Sequence, residues 1–208
     1  MNRNGQIDWS EADRKDKGEA RMMMRILLLA MTVTSCAVVA EESSSTACVD
    51  RVGREAVRDA VLRAMEFEHA RDRVEAIEAM RIKARMDREQ MADVLLGVAT
   101  NGNNRFAMRD FARYATTNQL AAVEGIVEDA GRPAAFRVAA FRALSDIDGF
   151  GERTLRIVGE IGEGKIAFAP HDREKMLSHI RLSLPKNDVR RAAFSMKLEP
   201  VKGQEGRK

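Results

Sequence analysis

Apolar residues recur at helical spacing along the chain from about residue 47 to residue 197, and no segment alternates apolar and polar residues as a half-buried strand does. The segment 47–65 places small and branched apolar residues on one face of a helix, and a second helix or a bent continuation runs to about residue 83. The chain is rich in Ala, Arg, Leu, Met and Glu, which are good helix formers. The pattern therefore predicts an all-α protein.

Residues that begin or end helices separate the later segments. A helix begins at Asp87 and ends at the Asn101–Asn104 turn, where Gly102 is free to adopt positive φ. Gly131 follows another segment, and Pro133 stands in a first-turn position. The further helices are predicted at 105–115, 118–130, 133–145, 151–161, 172–183 and 187–197. Short connections between them are typical of antiparallel helix pairs.

Two correspondences along the chain indicate an internal repeat. Leucine, isoleucine and valine pairs recur with a spacing of 31 residues, at Leu95-Leu96, Ile126-Val127 and Ile157-Val158. Large apolar residues five positions apart recur on three other predicted helices, at Phe106 and Phe111, Phe136 and Phe141, and Val189 and Phe194. Two helices in a unit of about 30 residues are typical of a helical solenoid. We therefore predict that these last six residues define the core of the repeat.

The segment Asn187-Asp-Val-Arg-Arg-Ala-Ala193 resembles the second helix of a HEAT repeat, particularly the short HEAT-like units with the pattern Asp-x-x-Val-Arg-x-x-Ala. The segment from Arg137 to Leu144 is a second partial match. The resemblance covers roughly 87–198 and implies a short right-handed α-solenoid of helix pairs, with the helices of 48–86 capping its N-terminal end. It further implies that Arg137 and Arg190 each pair with an acidic residue in a neighbouring turn.

The chain departs from this pattern in two places. Asp110 stands where the pattern has a small residue, and the 53-residue step from Phe141 to Phe194 is not a multiple of the period. One unit must therefore be stretched or degenerate, and an irregular helical bundle is the alternative fold.

An apolar segment near the start of the chain predicts export. Arginines flank three methionines at Met22 to Met24, residues 26–40 are almost entirely apolar or small, and the chain turns polar at Glu41. Fifteen helical residues span about 22 Å, less than the roughly 30 Å core of a bilayer. We expect residues 22–40 to be a signal peptide or, less favoured, an N-terminal anchor. Residues 1–21 are then a non-native or disordered extension, 41–47 a flexible lead and 199–208 a polar tail.

Two processing sites are consistent with this signal. Val38-Val39-Ala40 has the small residues of a conventional cleavage site and favours a chain that begins at Glu41 in the periplasm or outside the cell. The alternative is a lipobox at Val33-Thr34-Ser35-Cys36, in which Cys36 is lipidated and anchors the protein to a membrane. Cleavage after Ala40 leaves Cys48 as the single cysteine, so no internal disulfide is expected.

Composition and motifs argue against catalysis. The 35 basic and 32 acidic residues nearly balance, which makes nucleic acid an unlikely partner. Gly159 to Lys165 has the GxxxxGK spacing of a phosphate loop, but Ile166 replaces the Ser or Thr that holds Mg²⁺. Asp146 to Glu152 lacks ligands that a calcium loop needs. Other candidates are scattered or ordinary helix-surface residues, namely His69, His171, His179 and the basic positions Arg81, Arg85 and Arg88.

The sequence thus predicts no catalytic residue, no cofactor and no metal. The favoured interpretation is a non-catalytic, exported helical-repeat protein that acts as an interaction module or scaffold for an unknown protein partner in the bacterial envelope. The first alternative is a structural lipoprotein of the outer or inner membrane tethered through Cys36. The second, which requires that residues 26–40 are not an export signal, is a cytosolic HEAT-like module that binds nucleic acid.

Overall fold

The computed structural model describes residues 46–198, with side chains from residue 53 onward. Within this range the regular elements are all helices, which confirms the prediction of an all-α protein. The α-helices are α1 (Thr46–Ala64), α2 (Ala70–Lys83), α3 (Arg88–Gly102), α4 (Arg105–Phe111), α5 (Leu120–Glu128), α6 (Ala134–Asp148), α7 (Glu152–Gly162), α8 (Pro170–Ser183) and α9 (Val189–Leu198). A 3₁₀ helix, Thr117–Gln119, leads into α5.

The predicted signal peptide, the processing sites at Cys36 and Ala40, the extension 1–21 and the tail 199–208 lie outside the described residues. Among the described helices, none combines the length and the apolar character needed to cross a bilayer. The chain divides between Asp87 and Arg88 into two compact units.

The first unit contains α1 and α2, which pack against each other. The buried residues of α1 recur at helical spacing, at Val57, Ala60, Val61 and Ala64. Helix α2 ends at Lys83, and Arg85 adopts a left-handed conformation with φ of 54°. The helix therefore does not continue through Arg85, and the basic positions Arg81, Arg85 and Arg88 do not lie on one helix. Arg81 instead pairs with the Glu78 carboxylate at 2.6 Å.

Capping residues fix the helix boundaries of the second unit. The Asn104 side chain accepts hydrogen bonds from the backbone N–H groups of Phe106 and Ala107 at the start of α4. Thr116 and Gln119 form a capping box ahead of α5. Helix α6 ends at Gly149, whose φ of 60° suits glycine. These short local signals explain why most of the predicted boundaries lie within a few residues of the observed ones.

Six helices of the second unit fall into two groups by their contacts and side-chain bonds. Helix α3 packs against α4, and α5 packs against α6. Helix α6 also contacts both α4 and α8. We call α4, α6 and α8 the second layer. We call α3, α5 and α7 the first layer. Asn118, in the 3₁₀ helix that leads into α5, donates to Glu89 of α3 at 2.8 Å, and Arg153 of α7 donates to Glu124 of α5 at 2.7 Å. Each of these bonds joins residues 29 positions apart. This separation equals about one predicted repeat.

The last three helices depart from this regular order. Helix α9, which sequence alignment matches to α4 and α6, packs against α7 and α8. The helix that follows α4 and α6 in the second layer is α8. A Cβ atom on Gly162 would lie 2.6 Å from the Lys197 carbonyl oxygen, so glycine is what lets α9 approach α7 this closely.

Four of the six predicted core residues are buried: Phe111, Phe136, Phe141 and Phe194 each expose 1% or less. The prediction is wrong for Phe106, which is 42% exposed, and for Val189, which is 83% exposed. Residues five apart differ in direction by roughly 140° on a helix with 3.6 residues per turn. Both can be buried only where neighbours cover a helix on several sides. Helix α6 has such neighbours in α4, α5, α7 and α8, whereas the main neighbours of α9 within its unit are α7 and α8.

Candidate functional site

The two layers of the second unit carry different exposed charges. In the first layer the exposed basic residues are Arg88, Arg153 and Arg156, and the exposed acidic residues are Glu89, Asp93, Glu128 and Glu152. In the second layer the exposed basic residues are Arg105, Arg109, Arg142, Lys175 and Arg181, and the exposed acidic residues are Asp146 and Glu174. The second layer therefore presents a net positive surface, although the chain as a whole is nearly neutral.

The first-layer arginines at the α5–α7 junction are neutralised by carboxylates. Arg156 donates to Glu128 at 2.9 Å and to Glu160 at 2.8 Å, and it also donates to Glu124. These hydrogen bonds, led by the one to Glu124, raise the pKa of Arg156 above its ordinary value. Arg153 shares the Glu124 carboxylate. This network joins α5 to α7 and leaves little uncompensated charge for a ligand.

Two second-layer arginines on α4 differ from these. Arg105 and Arg109 are exposed, and neither has a carboxylate partner among the described residues. The Arg105 guanidinium carbon lies 5.0 Å from the centroid of the Phe106 ring, which is the geometry of a cation–π contact. We call Arg105, Phe106 and Arg109 the α4 patch. It combines uncompensated positive charge with a half-exposed aromatic ring.

The helix that carries the α4 patch packs against a helix with small side chains. Helix α4 contacts α6, where Ala135 is exposed and Ala139 is half-buried. On the other side of α6, Arg142 donates to the Lys175 carbonyl oxygen at 3.2 Å and so ties α6 to α8. Helix α6 thus combines these small side chains with one long side chain that is tied to α8.

Arg137 has a structural role in the same layer. Its guanidinium donates to the carbonyl oxygens of Val127 at 2.9 Å and Ala167 at 3.1 Å, and it lies 4.2 Å from the centroid of the Phe168 ring. Burial lowers the pKa of Arg137, and the negative charge of Asp129 opposes that shift. The expected pairing with an acidic residue is thus replaced by bonds to backbone carbonyls that join three segments.

Arg190 follows the expectation from the resemblance more closely. It pairs with the Asp188 carboxylate at 2.7 Å and donates to the Gly149 carbonyl oxygen at 3.0 Å, beyond the end of α6. The hydrogen bonds from Arg190 lower the pKa of Asp188. This arginine therefore fastens α9 to the end of α6.

An open groove of about 390 Å³ lies beside α7 and the end of α9. Its lining residues are Glu152, Leu155, Arg156, Gly159, Glu160, Glu163, Lys165 and Lys197. Acidic and basic side chains are equal in number here, and Glu163 pairs with Lys165 at 2.7 Å. The GxxxxGK segment belongs to this groove, with Gly159 inside α7 and Gly164 in the turn after it at φ of 77°. It is a glycine-containing helix end, as expected, and has no strand before it.

The other sequence candidates occupy ordinary structural positions. Asp148, in the segment compared with a calcium loop, accepts hydrogen bonds from the backbone N–H and the hydroxyl of Thr154, both at 2.9 Å. It therefore closes the turn between α6 and α7. His171 and His179 lie near different carboxylates, those of Asp172 at 3.2 Å and Asp146 at 3.1 Å. In residues 46–198 no three His, Cys, Asp or Glu side chains are placed to hold one metal ion.

Comparison of the chain with protein-family models, with curated proteins and with solved structures gives no match. The candidate site therefore depends on geometry alone. Sequence analysis did not identify the α4 patch, although a signal was present: Arg105 and Arg109 are spaced i,i+4 with no acidic residue three or four positions from either.

Proposed function

We propose that this protein is a non-catalytic, exported helical-repeat module that binds another protein in the bacterial envelope. The observation that supports the proposal is the order of the contacts: α4 contacts α6, α6 contacts α8, and two side-chain bonds each link residues 29 positions apart. Stacked helix pairs of this kind form extended surfaces that suit protein recognition. On this proposal the second unit is a short HEAT-like solenoid.

The binding surface in this proposal is the second layer. In the first layer, Arg153 and Arg156 form ion pairs with glutamates of α5 and α7, so their charges are neutralised within the protein. The second layer keeps uncompensated arginines and a half-exposed aromatic ring on α4, and it exposes Ala135 on the neighbouring helix α6. Aromatic and arginine side chains are the residues most enriched at the energetic centres of interfaces. A protein partner that covers α4 and α6 would contact both the arginines and the aromatic ring.

The export half of the proposal rests on the sequence of residues 22–40 and is tested by intact mass and N-terminal analysis of the protein from its native host. Soluble and membrane fractions are analysed separately. We expect a soluble chain that begins at Glu41. A lipid-modified chain that begins at Cys36 would make the protein a tethered lipoprotein, and Cys36→Ser would then release it from membranes. An uncut chain in the cytoplasm would contradict export and favour the nucleic-acid alternative.

A further inference from the structure

We infer that the partner offers an acidic segment to the second layer, and that the α4 patch of Arg105, Phe106 and Arg109 is where that segment docks. This inference rests on the proposed function, because it names the chemistry of the partner for the same surface. Its basis is the contrast between the two layers: the arginines at the α5–α7 junction are paired with carboxylates, and the two on α4 are not.

Arginine is suited to this task because its planar guanidinium can bind a carboxylate through two parallel hydrogen bonds. Arg105 and Arg109 are four residues apart, so their Cα atoms are separated by about 6 Å along the helix axis. Alternate residues of an extended chain are separated by about 6.7 Å and point the same way. A partner segment of the form Glu-x-Glu therefore matches the spacing of the two guanidinium groups.

Phe106 adds an apolar contact to this charged one. Its ring is 42% exposed and lies under the Arg105 guanidinium at 5.0 Å, which holds the arginine side chain against the helix surface. An arginine restrained in this way loses less conformational entropy when a carboxylate binds. Helix α6, which contacts α4, carries the small residues Ala135 and Ala139, and neither adds a bulky side chain to the surface. An acidic segment with an apolar residue near its glutamates would thus fit best.

The extent of the charge favours an acidic protein segment over nucleic acid. A protein that binds a polynucleotide neutralises about 6–10 phosphates through a continuous basic surface. Here Asp146 and Glu174 interrupt the second layer, and Lys175 and Arg181 already pair with Asp172 and Glu174. A short peptide needs only the two arginines on α4.

The test is a binding measurement with the full chain and a fluorescein-labelled peptide of repeated Glu-Ser-Glu-Leu units, followed by fluorescence anisotropy. The double variant Arg105→Glu/Arg109→Glu is expected to bind at least about tenfold more weakly than the unmodified chain, since it replaces attraction by repulsion at two positions. Arg105→Gln/Arg109→Gln should show an intermediate loss. Circular dichroism checks that both variants keep their helices.

A matched control comes from α1, where Arg54 and Arg58 are also exposed and four residues apart. Arg54→Glu/Arg58→Glu changes the net charge of the chain by the same amount and should leave peptide binding unchanged. Equal losses in the two double variants would show a response to net charge alone and would overturn the inference. So would an absence of peptide binding, or tighter binding of a single-stranded oligonucleotide of similar length.

Failure of the inference can be separated from failure of the proposed function. A photo-cross-linking amino acid at Ala135 of α6 reports any protein on the second layer, whatever its charge. If Ala135 captures a protein in cells and the acidic peptide does not bind, the acidic docking site is wrong and the interaction surface stands. If the second layer captures nothing, the proposed function itself fails.

Discussion

Replacing Phe141 by alanine is expected to lower the free energy of unfolding by about 3–5 kcal/mol. The Phe141 side chain is fully buried, and α6 packs against α4, α5, α7 and α8. Removing the ring leaves a cavity between helices that cannot all move inward together. Urea denaturation followed by circular dichroism measures the change, and Phe111→Ala should have an effect of the same order because Phe111 is equally buried.

The matched control for this prediction is Phe106→Ala. The chemical change is identical, but the Phe106 side chain is 42% exposed. We expect a loss below about 1 kcal/mol, the usual range for surface positions with modest contacts. Similar losses at Phe106 and Phe141 would contradict the assignment of α6 as the central helix of the second unit.

Arg137→Ala is expected to destabilise the protein by about 2–4 kcal/mol. The substitution removes hydrogen bonds to the carbonyl oxygens of Val127 and Ala167 and the contact with the Phe168 ring. These carbonyls belong to the last turn of α5 and to the loop before α8, so each segment loses a polar contact with α6. Denaturation under the same conditions as for Phe141→Ala gives the value.

Arg142→Ala provides the comparison within the same helix. Arg142 is exposed and makes a single hydrogen bond to the Lys175 carbonyl oxygen, so its removal should change stability by no more than about 0.5 kcal/mol. Arg137→Met should recover part of the loss, because a long apolar side chain fills the space without leaving a charge. Equal effects of Arg137→Ala and Arg142→Ala would show that Arg137 is not a structural junction.

Local signals were sufficient to predict most helices of this fold. Helix starts are encoded by short polar residues such as Asn104 and Thr116, and the end of α6 by Gly149. Leu95, Ile126 and Ile157 recur at a spacing of 31 residues, and the structure places them on the three first-layer helices as buried residues. Equivalent buried positions on successive first-layer helices are separated by a constant number of residues, so this regularity can be read from the sequence.

The sequence did not show which helices pack against which. The five-residue spacing in α4, α6 and α9 looks identical in sequence, yet only α6 is covered on enough sides to bury both of its phenylalanines. For the same reason α9, with the best match to the HEAT-like pattern, was aligned with the second layer, where α8 lies instead. Similarity to a motif describes the sequence of a single helix. The place of that helix among the others also depends on the lengths of the connections that precede it.

The candidate binding surface could be predicted only in part because charge pairing is a tertiary property. The sequence shows that no acidic residue lies three or four positions from Arg105, but it does not show whether a carboxylate of another helix reaches Arg105 or Arg153. Only the fold brings Glu124 of α5 within ion-pair distance of Arg153 of α7, and only the fold leaves Arg105 without such a partner among the described residues. Which arginines are neutralised by carboxylates and which are not is therefore known only from the tertiary structure.

The most direct test of the interaction surface is site-specific photo-cross-linking in the native host. One variant carries the cross-linking amino acid at Ala135, an exposed residue of α6 in the second layer, and its control carries it at Ala122, an exposed residue of α5 in the first layer. We predict that Ala135 yields a discrete cross-linked protein species and that Ala122 does not. Cross-linking from Ala122 alone, or from neither position, would contradict the assignment of the second layer as the surface that binds a partner.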